Sequence, residues 1–232
     1  MLTIIIPCYN ERNTIEKLVK KILSVTDIKK QIIIIDDGSS DGSTEILKKR
    51  LLKKVDKIIF LKKNRGKGFA IQQSRAFIKG SLVIIQDADL EYDPRDYKFL
   101  IKPIINNESN VVYGSRFLNK RLYKNYSIFS IKVIGNKLLT FFSNILNQQS
   151  LTDAHTCYKI LRGDLFKKIK LNEKGFSFCA ELTTQLSNLN EKIIEKPIHY
   201  FGRGYKEGKK ISFLDAFKTV HVIVKLKLKN LL

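Results

Sequence analysis

Four short runs, Leu2–Ile6, Gln31–Ile35, Lys57–Leu61 and Leu82–Ile85, constrain this chain most, because three of them are almost uninterrupted Ile, Leu and Val. A strand with one wet face alternates polar and apolar residues, whereas a strand without alternation must be covered on both faces. Between the runs lie helical patterns. The first puts Ile15, Leu18, Val19, Ile22 and Leu23 on one face, with Asn13 and Glu16 spaced as a capping pair. The second follows DGSSDGS (37–43), whose residues suit turns and helix starts. A third is expected over 68–79, after Gly66 and Gly68, and a fourth over 96–107, leading to a fifth strand at Asn110–Tyr113. Strand–helix alternation of this kind predicts an α/β fold with a mostly parallel sheet flanked by helices.

In such a sheet, ligands bind where strands deliver their C-terminal ends. Four polar clusters stand at those ends: PCYNE (7–11), DDGS (36–39), NRGKG (64–68) and QDADLE (86–91). The last is notable in a chain with 43 Lys and Arg against 22 Asp and Glu, since Asp87, Asp89, Glu91 and Asp93 fall within seven residues. Carboxylates this close repel unless a cation intervenes. A hard divalent ion prefers oxygen ligands and can keep substrate phosphates in its shell. A solvated acidic loop is the ordinary reading of such a motif standing alone; its company at the strand ends favours a metal and diphosphate site. Asp93, beside Pro94, suits a helix start. Asp36 and Asp37 could accept from a ribose hydroxyl or base N–H, or cap a turn. Arg65 and Lys67 offer cations to phosphate, although NRGKG is neither a Walker loop nor a GxGxxG fingerprint.

The second half is less regular. From Asn119 to Leu151 there are five Lys/Arg and no acid, with Ile128, Ile131, Ile134, Leu138, Phe142 and Ile145 at helical spacing, so one basic amphipathic helix is expected. It could pack on the core or lie in a lipid interface. The tail from Gly202 carries eight Lys/Arg and two acids and poses the same choice; its end, VIVKLKLK, also alternates with period two. One domain over 1–211 and a basic amphipathic tail over 212–232 are expected. Cys8, Cys157 and Cys179 make no zinc or disulfide pattern, and His155, His199 and His221 no metal spacing. The formal charge of +21 invites a polyanion partner. Only nine of the 43 basic residues are Arg, the residue that phosphate and base readers favour, so no nucleic-acid partner is expected. Neither a signal peptide nor an apolar run of about 20 residues is evident. A cytoplasmic location, peripheral on the inner face of the membrane, is expected.

Eight ordered stretches carry a resemblance: IIIPCYNE (4–11), IIIIDDGSSDGS (32–43), NRGKGFAI (64–71), QDADLEYDP (86–94), VVYGSRF (111–117), LTDAHTCYKILR (151–162), GFSFCAEL (175–182) and KPIHYFGRGYKEGKKI (196–211). Together they resemble glycosyltransferase family 2, in the branch of dolichyl-phosphate mannose and glucose synthases and their bacterial relatives. The resemblance implies the GT-A fold, a UDP- or GDP-linked sugar donor, and Mg²⁺ or Mn²⁺. It implies donor contacts from Pro7, Tyr9, Glu11, Ile35, Asp37, Lys67, Asp87, Ala88 and Asp89, with Arg116, Arg203 and Lys209 closing on the phosphates. Asp87 and Asp89 match the metal carboxylates, with Glu91 a further candidate ligand. Cys179 and His155 depart from the pattern, standing in slots that are often acidic.

The implied reaction is inverting transfer of a sugar to a polyprenyl phosphate or a glycan in envelope or polysaccharide synthesis, with an anionic membrane surface as a further partner. A phosphate acceptor needs no protein base; a sugar hydroxyl does. Asp153, then Glu181, are the candidate bases beside Asp89 in the catalytic set, each open equally to a structural reading. A metal-dependent sugar nucleotidyltransferase is the alternative enzyme, and a basic nucleic-acid-binding domain the remaining one.

Overall fold

The computed structural model describes residues 1–124, 131–202 and 213–231. Strands β1 (Leu2–Cys8), β2 (Lys30–Asp36), β3 (Lys57–Phe60) and β4 (Leu82–Ile85) alternate with helices α1 (Ile15–Ser24), α2 (Ser43–Ile46, running on as a wider turn through Leu51) and α3 (Lys67–Gln73). Then come α4 (Tyr97–Ile105), β5 (Val111–Ser115), β6 (Tyr123–Lys124), α5 (Ile131–Asn147), β7 (Lys159–Arg162), α6 (Gly163–Lys168), α7 (Phe178–Asn188), β8 (Ile193–Pro197), β9 (Tyr200–Phe201) and α8 (Phe213–Leu231). Among the described residues, one sheet runs β3-β2-β1-β4-β7-β5-β8, and β6 pairs β9 in a small ribbon.

The apolar strands behave as their composition demands. Every residue of β1 is buried, and β2 is buried from Gln31 to Asp36. Ile4, Ile5, Ile6, Ile33, Ile34 and Ile35 are wholly enclosed, each side chain contributing about 1.5–3 kcal/mol relative to exposure. β1, β2, β3 and β4 pair in parallel, but β7 enters antiparallel between β4 and β5, with Ile84 opposite Ile160 and Val112 opposite the same residue on the other side.

Three local expectations are corrected. The capping pair at α1 does not form: Thr14 is the cap residue, and Glu16 instead joins Lys20 at 3.3 Å and Arg50 at 2.8 Å. Ionic partners across a surface outcompete a backbone N–H that water can satisfy. The helix expected over 119–151 does not start at its expected end: Asn119 caps a short turn and Tyr123–Lys124 join the ribbon with β9, α5 is described over Ile131–Asn147, and residues 125–130, with Ile128 of the expected stripe, lie outside the described residues. The third helix breaks at Gln73 into a tighter turn at Arg75–Phe77. The period-two tail end is helical throughout its described length.

Candidate active site

The neighbouring C-terminal ends of β2, β1 and β4 bring three of the polar clusters to one rim. The first loop is laced to the second. The Asn10 N–H donates to Ser39 Oγ (3.0 Å), Ser40 N–H to Asn10 Oδ1 (2.9 Å), and Arg12 N–H to Asp41 Oδ2 (3.0 Å). Glu11 helps start α1: its carboxylate accepts from the Thr14 hydroxyl (2.5 Å) and its N–H donates to Ser43 Oγ (2.9 Å). Tyr9 is 37% exposed on this rim. Pro7 and Ile35 lie opposite each other in β1 and β2 with buried side chains.

Asp37 clamps the NRGKG loop, its two oxygens accepting the N–H groups of Arg65 and Gly66, each at 2.8 Å. Asp36 braces its own turn through Ser39 N–H (3.1 Å) and the Thr44 hydroxyl (2.5 Å). The glycines of NRGKG have a steric cause. A Cβ on Gly66 would sit 2.4 Å from the Lys174 carbonyl oxygen, and one on Gly68 2.2 Å from that of Glu173. The segment before α7 therefore crosses directly over this loop, bringing the Phe178 ring to 5.6 Å from Lys67 Nζ.

That crossing aims Lys67 at the carboxylate cluster. Its ammonium pairs with Asp87 and lies 3.5 Å from Cys157 Sγ. Burial pulls the lysine pKa down, but the Asp87 charge and hydrogen bond more than offset this, holding it above the usual lysine range. Behind Asp87, the Gln86 side chain is a buried hub: Oε1 accepts from Tyr97 and Tyr158 hydroxyls, both at 2.6 Å, and Nε2 donates to the Asp87 carbonyl (2.9 Å). Buried Ala88 separates the aspartates. Asp89 Oδ1 accepts from Glu91 N–H (3.1 Å) across Leu90, whose φ of 65° is costly for a branched side chain. Asp93 caps the next turn, accepting from Arg95 N–H at 3.0 Å, as its place beside Pro94 predicts.

The three expected metal ligands are not gathered as one set. Glu91 Oε2 accepts from the Tyr200 hydroxyl at 2.5 Å, which draws it toward β9. Among the described residues, no group of three or more His, Cys, Asp or Glu side chains is placed to hold a metal ion. Asp87 and Asp89 do fit a divalent cation chemically: both are hard oxygen donors at one strand end, and Asp87 already holds a cationic group in Lys67.

A second ionic centre lies where β5 ends. Asp153, fully buried, takes two bonds from the Arg116 guanidinium (2.7 and 2.8 Å) and one from its backbone N–H (3.1 Å). Glu195 Oε1 accepts Asp153 N–H at 2.9 Å, and its Oε2 accepts Thr152 N–H at 2.7 Å. Burial lowers the Arg116 pKa, but the Asp153 charge outweighs it and the net shift is upward. Arg116 also lies over the Tyr200 ring at 5.2 Å. Its Nε and Nη2 are thus engaged by Asp153. Glu181 is likewise engaged: it accepts from the N–H groups of Asn172 (2.8 and 2.9 Å) and Glu173 (2.8 Å), fixing the segment that crosses NRGKG. Burial raises its pKa. His155 is half-buried, its Nε2 enclosed and without a hydrogen-bond partner among the described residues, and desolvation brings its pKa down to about 4. Buried Lys159 donates to the Ala154 carbonyl (2.7 Å) over the Tyr113 ring, its pKa lowered by burial to about 8. Arg203 and Lys209 lie outside the described residues.

Several residues at this site went unnoticed in the sequence. The Tyr92 ring lies tilted 4.7 Å from that of Tyr158 and edge-on 5.1 Å from that of Tyr200, and its hydroxyl accepts Cys157 N–H at 3.0 Å. Gln86 and Glu195 complete the supports. No spacing rule connects these positions; they meet through the insertion of β7, the parallel β5–β8 pair and an isolated bridge between Tyr92 and Tyr200.

Comparison with known proteins agrees with this arrangement. Residues 3–170 match the family described as Glycosyl transferase family 2. The chain is 26% identical over 250 residues to the UDP-N-acetylglucosamine--dolichyl-phosphate N-acetylglucosaminyltransferase of Methanococcus voltae, covering 100% of this chain and 98% of that one. It is 24% identical over 209 residues to the dolichol-phosphate mannosyltransferase of Pyrococcus furiosus, covering 90% of this chain and 58% of the relative. Glucosyl-3-phosphoglycerate synthase from Mycobacterium tuberculosis, solved with Mn²⁺, UDP and glucosyl-3-phosphoglycerate, superposes with a TM-score of 0.70 at 16% identity, over 97% of this chain and 79% of that one. The fold is thus GT-A, as the motifs imply, and the chain belongs to glycosyl transferase family 2.

Proposed function

We propose that this glycosyltransferase moves one sugar, with inversion, from a UDP- or GDP-linked donor to a polyprenyl phosphate. The donor side is read from Tyr9, Asp37 and Lys67 on the rim, with Asp87 and Asp89 at the end of β4. A Mg²⁺ or Mn²⁺ held by Asp87 and Asp89 would neutralise the donor diphosphate. Lys67, already buried against Asp87, adds positive charge where the departing nucleoside diphosphate gains negative charge. The solved synthase with Mn²⁺ and UDP supports this reading by analogy of fold.

One observation carries the choice of acceptor. Both carboxylates considered as general bases are already in use, Asp153 by the Arg116 guanidinium and Glu181 by two backbone N–H groups. Asp153 turns both carboxylate oxygens to Arg116, away from any incoming hydroxyl. A phosphate monoester, with its second pKa near 6, arrives ionised at neutral pH and needs no base. These facts favour a phosphate oxygen as nucleophile over a glycan hydroxyl. The bond from the anomeric carbon to the donor phosphate oxygen breaks as the acceptor oxygen bonds on the opposite face.

Two measurements test the reading. A thermal-shift panel of UDP, GDP and their sugar conjugates, with Mn²⁺ or Mg²⁺, should show stabilisation by one nucleotide series only in the presence of metal. Turnover should then release that nucleoside diphosphate with polyprenyl phosphate as acceptor. Release of pyrophosphate, or transfer to free glycans alone, would overturn it.

A further inference from the structure

The helix α5 is packed inside out. A helix resting on a core turns its apolar stripe inward. Here the side facing the body carries Thr140, Ser143 and Asn147, each no more than 3% exposed, together with Val133. These side chains bond inward and to one another: Thr140 Oγ1 accepts from Ala154 N–H at 3.2 Å, and Asn147 Nδ2 donates to Ser143 Oγ at 3.1 Å. The opposite side carries Ile134, Leu138, Phe141, Phe142 and Ile145, all 42–60% exposed. Their spacing of four, three, one and three residues makes one continuous stripe. A contiguous apolar surface of this kind marks an interaction site.

The charges around the stripe select the partner. From Ile131 to Asn147 there are two lysines and no acid. Helix α8, packed against α5 and α7, exposes Phe217 and Leu228 beside Lys218, Lys225 and Lys229, and its sequence contains one acid, Asp215. A second copy would bring like charge against like charge on a chain of formal charge +21. An anionic lipid surface supplies both an apolar bed and the opposite sign. Among the described residues no helix is long and apolar enough to cross a membrane, which leaves a helix lying in the interface.

We infer that the outer face of α5, flanked by the lysines of α8, seats this protein on an anionic lipid surface. The inference deepens the lipid-phosphate reading by naming where the enzyme meets the lipid, but its test uses no sugar and no turnover. The full chain is sedimented with vesicles of phosphatidylcholine alone or of an equal mixture with phosphatidylglycerol. Binding should favour the anionic vesicles, and each of Lys218→Gln and Lys225→Gln should weaken it about fivefold. Phe141→Ser/Phe142→Ser/Ile145→Ser, all at exposed positions, should abolish sedimentation while leaving Tm and the nucleotide thermal shift unchanged. No sedimentation with either vesicle, or equal partitioning to both, would overturn the proposal. So would a lipid-free dimer in analytical ultracentrifugation that the triple variant converts to monomer, since a second copy would then cover the stripe. Vesicle binding without any nucleotide response would uphold this face and sink the donor-site reading instead.

Discussion

Substituting Asp153 by Ala distinguishes a structural ion pair from a catalytic base. The pair is enclosed, with Asp153 at 0% and Arg116 at 14% side-chain exposure, and two short bonds tie the guanidinium to the carboxylate. Removing one partner of a buried pair costs about 3–5 kcal/mol, because the other charge is left without compensation. The Arg116 backbone N–H, which also donates to Asp153, loses its acceptor, so about 4 kcal/mol is expected. For a chain of this size each kcal/mol lowers Tm by about 2–4 °C, giving a fall of about 8–16 °C. Calorimetry on Asp153→Ala and on Arg116→Met/Asp153→Leu reads this directly. The double variant, with no orphaned charge, should recover most of the loss. A single variant that melts within about 2 °C of the parent, or a double variant no better than the single, would refute the argument.

Other expectations concern the donor rim and His155. Asp89→Ala should abolish metal-dependent stabilisation by the nucleotide while Tm without ligand changes by less than about 2 °C, since Asp89 is only half-buried. Gly68→Ala must push the Glu173 carbonyl aside from 2.2 Å and should cost about 1–3 kcal/mol in denaturant melts, a change below about 0.5 kcal/mol contradicting the crossing. His155 has its pKa depressed from 6.5 to about 4 in the fold, so its contribution is full above 6.5 and lost as pH falls toward 4, a change of about 3 kcal/mol. His155→Gln should therefore lose less stability than the parent between those pH values; parallel pH profiles would count against the enclosed neutral imidazole.

The sequence disclosed the half of the molecule in which local pattern and burial coincide. Parallel strands covered on both faces must be apolar throughout, so β1, β2 and β4 could be read directly, and with them the placing of polar clusters at their C-terminal ends. The gathering of Asp37, Lys67 and Asp87 on one side of the sheet was legible for that reason. The rest depends on pairing that no local signal carries. β7 is the four residues KILR, and β8 is IIEKP, too short and too mixed to separate from loop. Without them Tyr92, Tyr158 and Tyr200 are unrelated aromatics, and Arg116 is a free cation rather than the partner of Asp153. The start of α5 was misplaced because β6 forms only against β9, more than seventy residues later in the chain.

The reversed direction of β7 has a bearing on how such a chain can vary. Tyr113 near the end of β5 stands opposite Lys159 at the start of β7, so the chain leaves and re-enters the sheet at the same rim. Everything from Arg116 to Tyr158 is a detour whose two ends are already pinned together. Length changes that keep its anchored contacts, those of Asp153 with Arg116 and of Tyr158 with Gln86, leave the β5–β7 register pinned. Strands β1, β2 and β4, whose C-terminal ends carry the polar rim, lie wholly outside that detour, so the rim does not depend on its length.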